Sequence, residues 1–281
     1  MSKTNLKFNY HSHSTYCDGR NSLEEMVQSS IEKGLSHFGF SAHAPIPLDN
    51  DFGLKYSEVD NYLRETRELK EKYKDQIGLY TSMEFDYLPK VSEDINERAE
   101  AYGLDYVIAA VHLVDSPNGI WFIDGSKHVN YDRGLKEIFG GDIQEAVKAF
   151  YHQTNEMIVN IKPDIVGHFD KVKMHNRNLY FQEDEPWYKK LVMETIDLIK
   201  EEDLIAEINT RGVYKKRSPD FFPMPQWVKR LAEIGARITI STDSHHKDEV
   251  DMLFQEACDQ AKACGHKEVW YYDGEWKPEP L

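Results

Sequence analysis

Cysteine is scarce in this chain of 281 residues: Cys17, Cys258 and Cys264 are its three, widely scattered. They make no disulfide framework and no Cys-x-x-Cys metal knuckle. A reducing cytoplasm is the compartment that this usage implies. Long apolar runs are missing as well. The longest, residues 106–114, is interrupted by His112 and is far too short to span a bilayer. The opening segment MSKTNLKFNYHSH has no apolar core of a signal peptide. Basic charge is outnumbered, with 34 Lys and Arg against 49 Asp and Glu, a net charge of −15. Broad phosphate-backbone binding wants a basic face, so nucleic acid is not an expected partner. A small anion remains possible, because bound cations are often the largest charges in a site. With 40% hydrophobic and 12% aromatic residues, the chain can bury one barrel-sized core or two smaller ones.

Short apolar segments alternate with amphipathic ones, the pattern of β/α units and a parallel sheet. Strands are expected at 7–13, 37–42, 77–84, 106–111, 164–167, 204–208 and 237–241. The first helix is opened by a capping box, Ser22 with Glu25, and closed by Gly34. Further helices are expected at 57–74, 92–102, up to 162, at 186–201 with Pro186 at its start, at 225–234 and at 249–263. Residues 268–272 read as an extra strand or a packing tail. Long loops follow the second, fourth, fifth and sixth strands, the fourth running over 115–141. These units predict one α/β domain over residues 1–281, a (β/α) barrel with its active face at the strand C-termini.

Metal-ligand side chains gather at those strand ends. His11 and His13 follow the first strand, with Asp18 in the next loop. His43 follows the second, Glu84 the third, His112 the fourth, His168 the fifth, and Asp243 with His245 the last. Period-two geometry points both members of His11-x-His13 to one face, and Asp243-x-His245 repeats the arrangement. Taken singly, each has a plainer reading: a strand-end pair bonded to loops, a capped loop histidine, a carboxylate in a salt bridge. A carboxylate ending a buried strand does need a partner, and Glu84 has two oxygens with which to bridge ions. Jointly, every strand but the sixth ends in a candidate ligand, and convergence on one rim predicts a polynuclear metal centre. His175 and His246 stand near enough to the rim to support it. Imidazole and carboxylate without thiolate suit Zn²⁺, Mn²⁺, Fe²⁺ or Co²⁺.

The segments HSHSTYCDG, SAHAP, SMEFDY, AVHLVD, GHFDKVK, INTRG and STDSHH, in this order, resemble the polymerase and histidinol phosphatase (PHP) superfamily, most of all its stand-alone histidinol-phosphatase branch. The resemblance spans nearly the whole chain and implies a distorted (β/α)₇ barrel with two to three divalent ions. It implies His11, His13, Glu84 and Asp243 around a first ion, and His43, His245 and Asp18 around a second. Glu84 would bridge to a third ion held by His112 and His168. Many relatives have a histidine near the Asp18 position, which makes Asp18 the least secure ligand. Arg211 is the implied phosphate clamp and Arg177 a second, ahead of Arg217 and Lys171.

The implied reaction is hydrolysis of L-histidinol phosphate to L-histidinol and phosphate, in histidine biosynthesis, with a hydroxide bridging the ions as nucleophile. Arg211, Asp243 and His245 are the expected catalytic residues, and a metal-associated water, His245 or Asp243 would assist the leaving alcohol. The partner is then a small-molecule phosphate ester, not a membrane, bound by a monomer or small homo-oligomer. Rival substrates are nucleotides, oligonucleotides or phosphotyrosine. A regulatory metal protein without catalysis, or a sugar-processing barrel using Glu84 and Asp243 as acid and base, fits less of the pattern.

Overall fold

In the computed structural model the described residues are 6–92, 94–125 and 127–281, so the first five residues of the segment read for a leader lie outside them. The first half runs β1 (Phe8–Asn9), α1 (Leu23–Glu32), β2 (His37–His43), α2 (Val59–Tyr73), β3 (Gly78–Asp86), α3 (Ile95–Tyr102) and β4 (Ile108–Ala110). A hairpin of β5 (Leu113–Ser116) and β6 (Gly119–Phe122) follows, then α4 (Val129–Phe139), α5 (Ile143–Ile161) and β7 (Ile165–Val166). The rest is α6 (Pro186–Glu201), β8 (Ile205–Asn209), α7 (Arg211–Tyr214), α8 (Pro225–Glu233), β9 (Arg237–Ser241), α9 (Phe254–Ala263), β10 (Glu268–Tyr272) and β11 (Trp276–Pro280).

Seven strands form one parallel sheet in the order β1-β2-β3-β4-β7-β8-β9. Its edges nearly close: Ser12 and Ser244 form a parallel bridge, and the His13 N–H donates to the Ser244 carbonyl at 2.8 Å. The expected barrel of seven β/α units is therefore the observed one. On β2, Phe38, Phe40 and Ala42 alternate with Gly39, Ser41 and His43, and all are buried, as suits a strand covered on both faces. The main apolar cluster draws on strands and helices from Phe8 to Leu281. The capping box is present: the Ser22 hydroxyl accepts from the Glu25 N–H at 3.2 Å, and the Glu25 carboxylate accepts from the Ser22 N–H at 2.9 Å.

Four differences from the sequence reading have local causes. The first strand is two residues long because side chains replace its ladder: the His11 N–H bonds Asn9 Oδ1 at 3.3 Å and the Ser12 N–H bonds Ser41 Oγ at 2.8 Å. Residues 115–141 are no simple loop, since β5–β6 and α4 fold over buried Trp121, whose Nε1–H donates to the Tyr131 carbonyl at 3.0 Å. Gly134 permits that contact, because a Cβ there would collide with the Trp121 ring. The last helix begins at Phe254, after a 3₁₀ turn at Lys247–Glu249. Finally, β10 pairs antiparallel with β11, turning the expected tail into a hairpin. Among the described residues no helix is long and apolar enough to cross a membrane.

Candidate metal centre

Glu84 lies at the middle of the rim, in register with His43 on the neighbouring strand. Its Oε2 is 3.1 Å from His11 Nε2, 3.1 Å from His43 Nδ1 and 3.5 Å from His13 Nε2. Its Oε1 is 3.1 Å from His168 Nε2 and 3.7 Å from His112 Nε2. Asp243 Oδ1 lies 3.3 Å from both His13 Nε2 and His245 Nδ1. Asp18 closes the outer side, 3.1 Å from His245 Nε2 and 3.9 Å from His43 Nε2. All nine residues expected at the rim thus meet there. His168 and Asp243 do so with left-handed backbones, φ 24° and 50°, and strain of that kind persists where surrounding structure over-determines a functional position.

Burial opposes a charge on Glu84, yet His11, His43 and His112 hold its carboxyl well below the usual range. Burial opposes Asp243 too, and His11 and Arg211 outweigh it. Burial, helped by His245 and His43, keeps the His13 pKa low. Burial also pushes the neighbouring Cys17 thiol up to about 12.

Four sets of ligand atoms each converge closely enough to hold an ion: His13–Asp18–His43–His245, His11–His13–Asp243, His11–Glu84–His168 and His43–Glu84–His112. These sets cut across the grouping implied by resemblance, joining His43 to His112 and His11 to His168. The donor chemistry fits cations on a separate observation. His11 Nε2, His13 Nε2 and His43 Nδ1 are buried without a hydrogen-bond partner, a costly state for a polar atom unless something else binds it.

Sequence reasoning missed the groups that aim these imidazoles. Glu207, fully buried on β8, sets Oε1 2.6 Å from His11 Nδ1 and accepts the His168 N–H at 2.9 Å. Asp86 Oδ1 stands 2.8 Å from His112 Nδ1. Such partners fix the tautomer and orientation of a ligating histidine. The signal was present: a carboxylate inside the apolar run of the sixth strand needs a partner as Glu84 does.

A cavity of about 400 Å³ opens over the cluster, walled by Phe52, Phe122, Asp124, Lys171, Arg211 and Arg217 among others. Arg211 opens α7, and its Nη1 donates to the Asp243 carbonyl at 2.7 Å. Arg177 is not brought into this cavity. It lines the adjacent groove, and its Nη2 bonds both Asp132 oxygens at 2.9 and 3.0 Å. The structure therefore corrects the order of the cations: Lys171 and Arg217 line the cavity over the cluster, and Arg177 is taken up by an ion pair with Asp132 of α4. His175 reaches Gly125 on the cavity wall at 3.2 Å, whereas His246 caps the 3₁₀ turn.

A near-closed parallel barrel with carboxylates and imidazoles converging at its C-terminal rim defines a barrel protein built around a multi-ion metal centre. The PHP domain family model matches residues 9–211, and the chain belongs to that family. It is 27% identical over 271 residues to a Schizosaccharomyces pombe protein named "Probable histidinol-phosphatase", covering 91% of this chain and 86% of the other. A Listeria monocytogenes crystal structure shares the fold at TM-score 0.79 and 21% identity, covering 89% and 99%. So does the histidinol phosphate phosphatase of Lactococcus lactis, solved with zinc, L-histidinol and phosphate, at TM-score 0.71 and 21% identity, covering 96% and 98%.

Proposed function

We propose that this chain, acting as one domain over residues 1–281, is a metal-dependent phosphomonoesterase that hydrolyses L-histidinol phosphate to L-histidinol and phosphate. The observation that carries the reading is the meeting of nine ligand-type side chains in one cluster, beneath a cavity that Arg211 also lines. Family membership and the names of relatives point the same way.

The ligands would be His11, His13, Asp18, His43, Glu84, His112, His168, Asp243 and His245, around two to three ions of Zn, Mn, Fe or Co. Such ions polarise phosphoryl oxygens and make water acidic enough to serve as a nucleophile near neutral pH. The protein's own task is positioning and charge stabilisation. Arg211 stays cationic at any working pH, and its planar fork, anchored through Nη1 by the Asp243 carbonyl, leaves other N–H groups to take phosphate oxygens. The proton that the leaving alkoxide takes up would come from a metal-associated water or from His245, since His11 and Arg211 hold the Asp243 carboxyl well below the usual range. Phe52 and Phe122, stacked at 6.1 Å and 11°, and the Asp51 and Asp124 carboxylates on the wall, suit an aromatic, ammonium-bearing alcohol. A small phosphate ester in the cytoplasm, met by a monomer or small homo-oligomer, completes the reading.

Turnover of histidinol phosphate, mononucleotides and phosphotyrosine by the metal-loaded protein tests it. A preference for histidinol phosphate below about tenfold, or ~1.4 kcal/mol in the barrier, rejects the substrate. Inertness toward every ester rejects catalysis.

A further inference from the structure

Lys171 has no role in the reading above, yet its placement is unusual for a lysine. The side chain is almost wholly buried, and Nζ lies 2.7 Å from Asp124 Oδ2 and 3.2 Å from His112 Nε2. On the far side of that ring, Asp86 Oδ1 takes up Nδ1 at 2.8 Å. An imidazole protonated at Nδ1 keeps one lone pair, on Nε2. That nitrogen faces Glu84 Oε1 at 3.7 Å, and with Nδ1 engaged it is the atom His112 can offer to an ion shared with His43 and Glu84. One lone pair accepts an ammonium proton or binds a metal ion; it cannot do both.

We propose that Lys171 is a built-in competitor for the ion at the His43–Glu84–His112 group. Its ammonium holds Nε2 until a divalent cation displaces it, and Asp124 receives the displaced charge. The contrast with the other ligands supports this. His11 Nε2 and His13 Nε2 have no such occupant, so ions load at the groups they form with Asp243 and with Glu84 and His168 first, and at His112 last. The centre then works as a tightly held set of ions plus one exchangeable ion whose affinity Lys171 sets. The inference rests on the metal-centre reading, not on the identity of the substrate.

Calorimetric titration of chelated protein with Mn²⁺ or Zn²⁺, with metal analysis after dialysis, tests it without recourse to activity. The wild type is expected to bind ions in a tight class and a weaker one. Lys171→Met should tighten the weaker class about tenfold and leave the tight class within about twofold, as for coupled and uncoupled neighbours respectively. In a His112→Ala background the gain should vanish. A gain that survives His112→Ala, or equal tightening of every class, means a general field effect and overturns the proposal. Should Lys171→Met not fold by circular dichroism, Lys171→Met combined with Asp124→Ala, which also removes the carboxylate left unpaired, gives the same readout. A wild type that binds no ion at all sinks the metal-centre reading, and this proposal with it.

Discussion

At the end of the barrel where the strands begin, rings pack against rings, and the polar atoms of Tyr10, Tyr106 and Trp276 have partners. Tyr10 meets Tyr106 at 5.7 Å and Trp276 at 5.6 Å, and Tyr272 meets Tyr80 at 4.9 Å. The Tyr106 hydroxyl donates to the Tyr10 carbonyl at 2.5 Å, the Tyr10 hydroxyl to the Tyr272 carbonyl at 2.8 Å, and Trp276 Nε1–H to Asp164 at 3.0 Å. At the opposite end, buried nitrogens lack partners and carboxylates crowd together. One end spends its residues on cohesion, and the other withholds satisfaction from its polar groups so that a ligand can supply it. A fold can keep a costly site when the cost is carried elsewhere in the same molecule.

Substitutions can break that contrast or sharpen it. The largest effect is expected from Glu84→Ala, since both its oxygens serve the cluster: more than one ion should be lost on metal analysis and turnover should fall to background. The rise in melting temperature on loading, a mass-action effect of ions binding the native state, should shrink with it. Gly39→Ala attacks the other end, where a Cβ would run into the Tyr106 hydroxyl. Overpacking should cost about 1–3 kcal/mol in urea unfolding, equally in loaded and chelated protein, with ion number unchanged. Equal loss of ions from both variants would dissolve the distinction between the ends. Glu207→Gln should weaken ion binding about 10–100-fold with little change in circular dichroism, and excess metal should restore turnover.

The smallest effect concerns His266, whose pKa burial lowers while Nε2 stands 3.0 Å from the Val228 carbonyl. The folded chain then takes up its proton less readily than the unfolded chain. The associated stability is present above the unfolded value of about 6.5 and is lost as pH falls through the lower folded value. His266→Gln in chelated protein should flatten that part of the acid-side stability curve. An identical slope in both proteins would contradict it.

Much of this was legible because strand ends and ligand types are local features. Pro186 marks the start of α6, residues 237–241 are the last barrel strand, and the nine rim residues needed only the barrel to bring them together. What escaped was set by tertiary contact. Trp121 burying itself against Tyr131 organises a region that carries no strong period of its own. Arg177 looked like a free loop cation because Asp132, 45 residues away, gives no sign in sequence of pairing with it. Glu207 and Asp86 are legible by the same reasoning as Glu84, since a carboxylate in or at the end of a buried strand needs a partner.

The Ser12–Ser244 bridge joins the first barrel strand to the last, and side chains from both sides of that seam, His11 and His13 with Asp243, lie close enough together to hold one ion. A chain emerging from the ribosome therefore cannot assemble this pocket until its final quarter has been made and has docked against its beginning. Cation capture then acts as a zip between the two ends of the polypeptide, and amide exchange along 11–13 and 242–245 should slow sharply on loading.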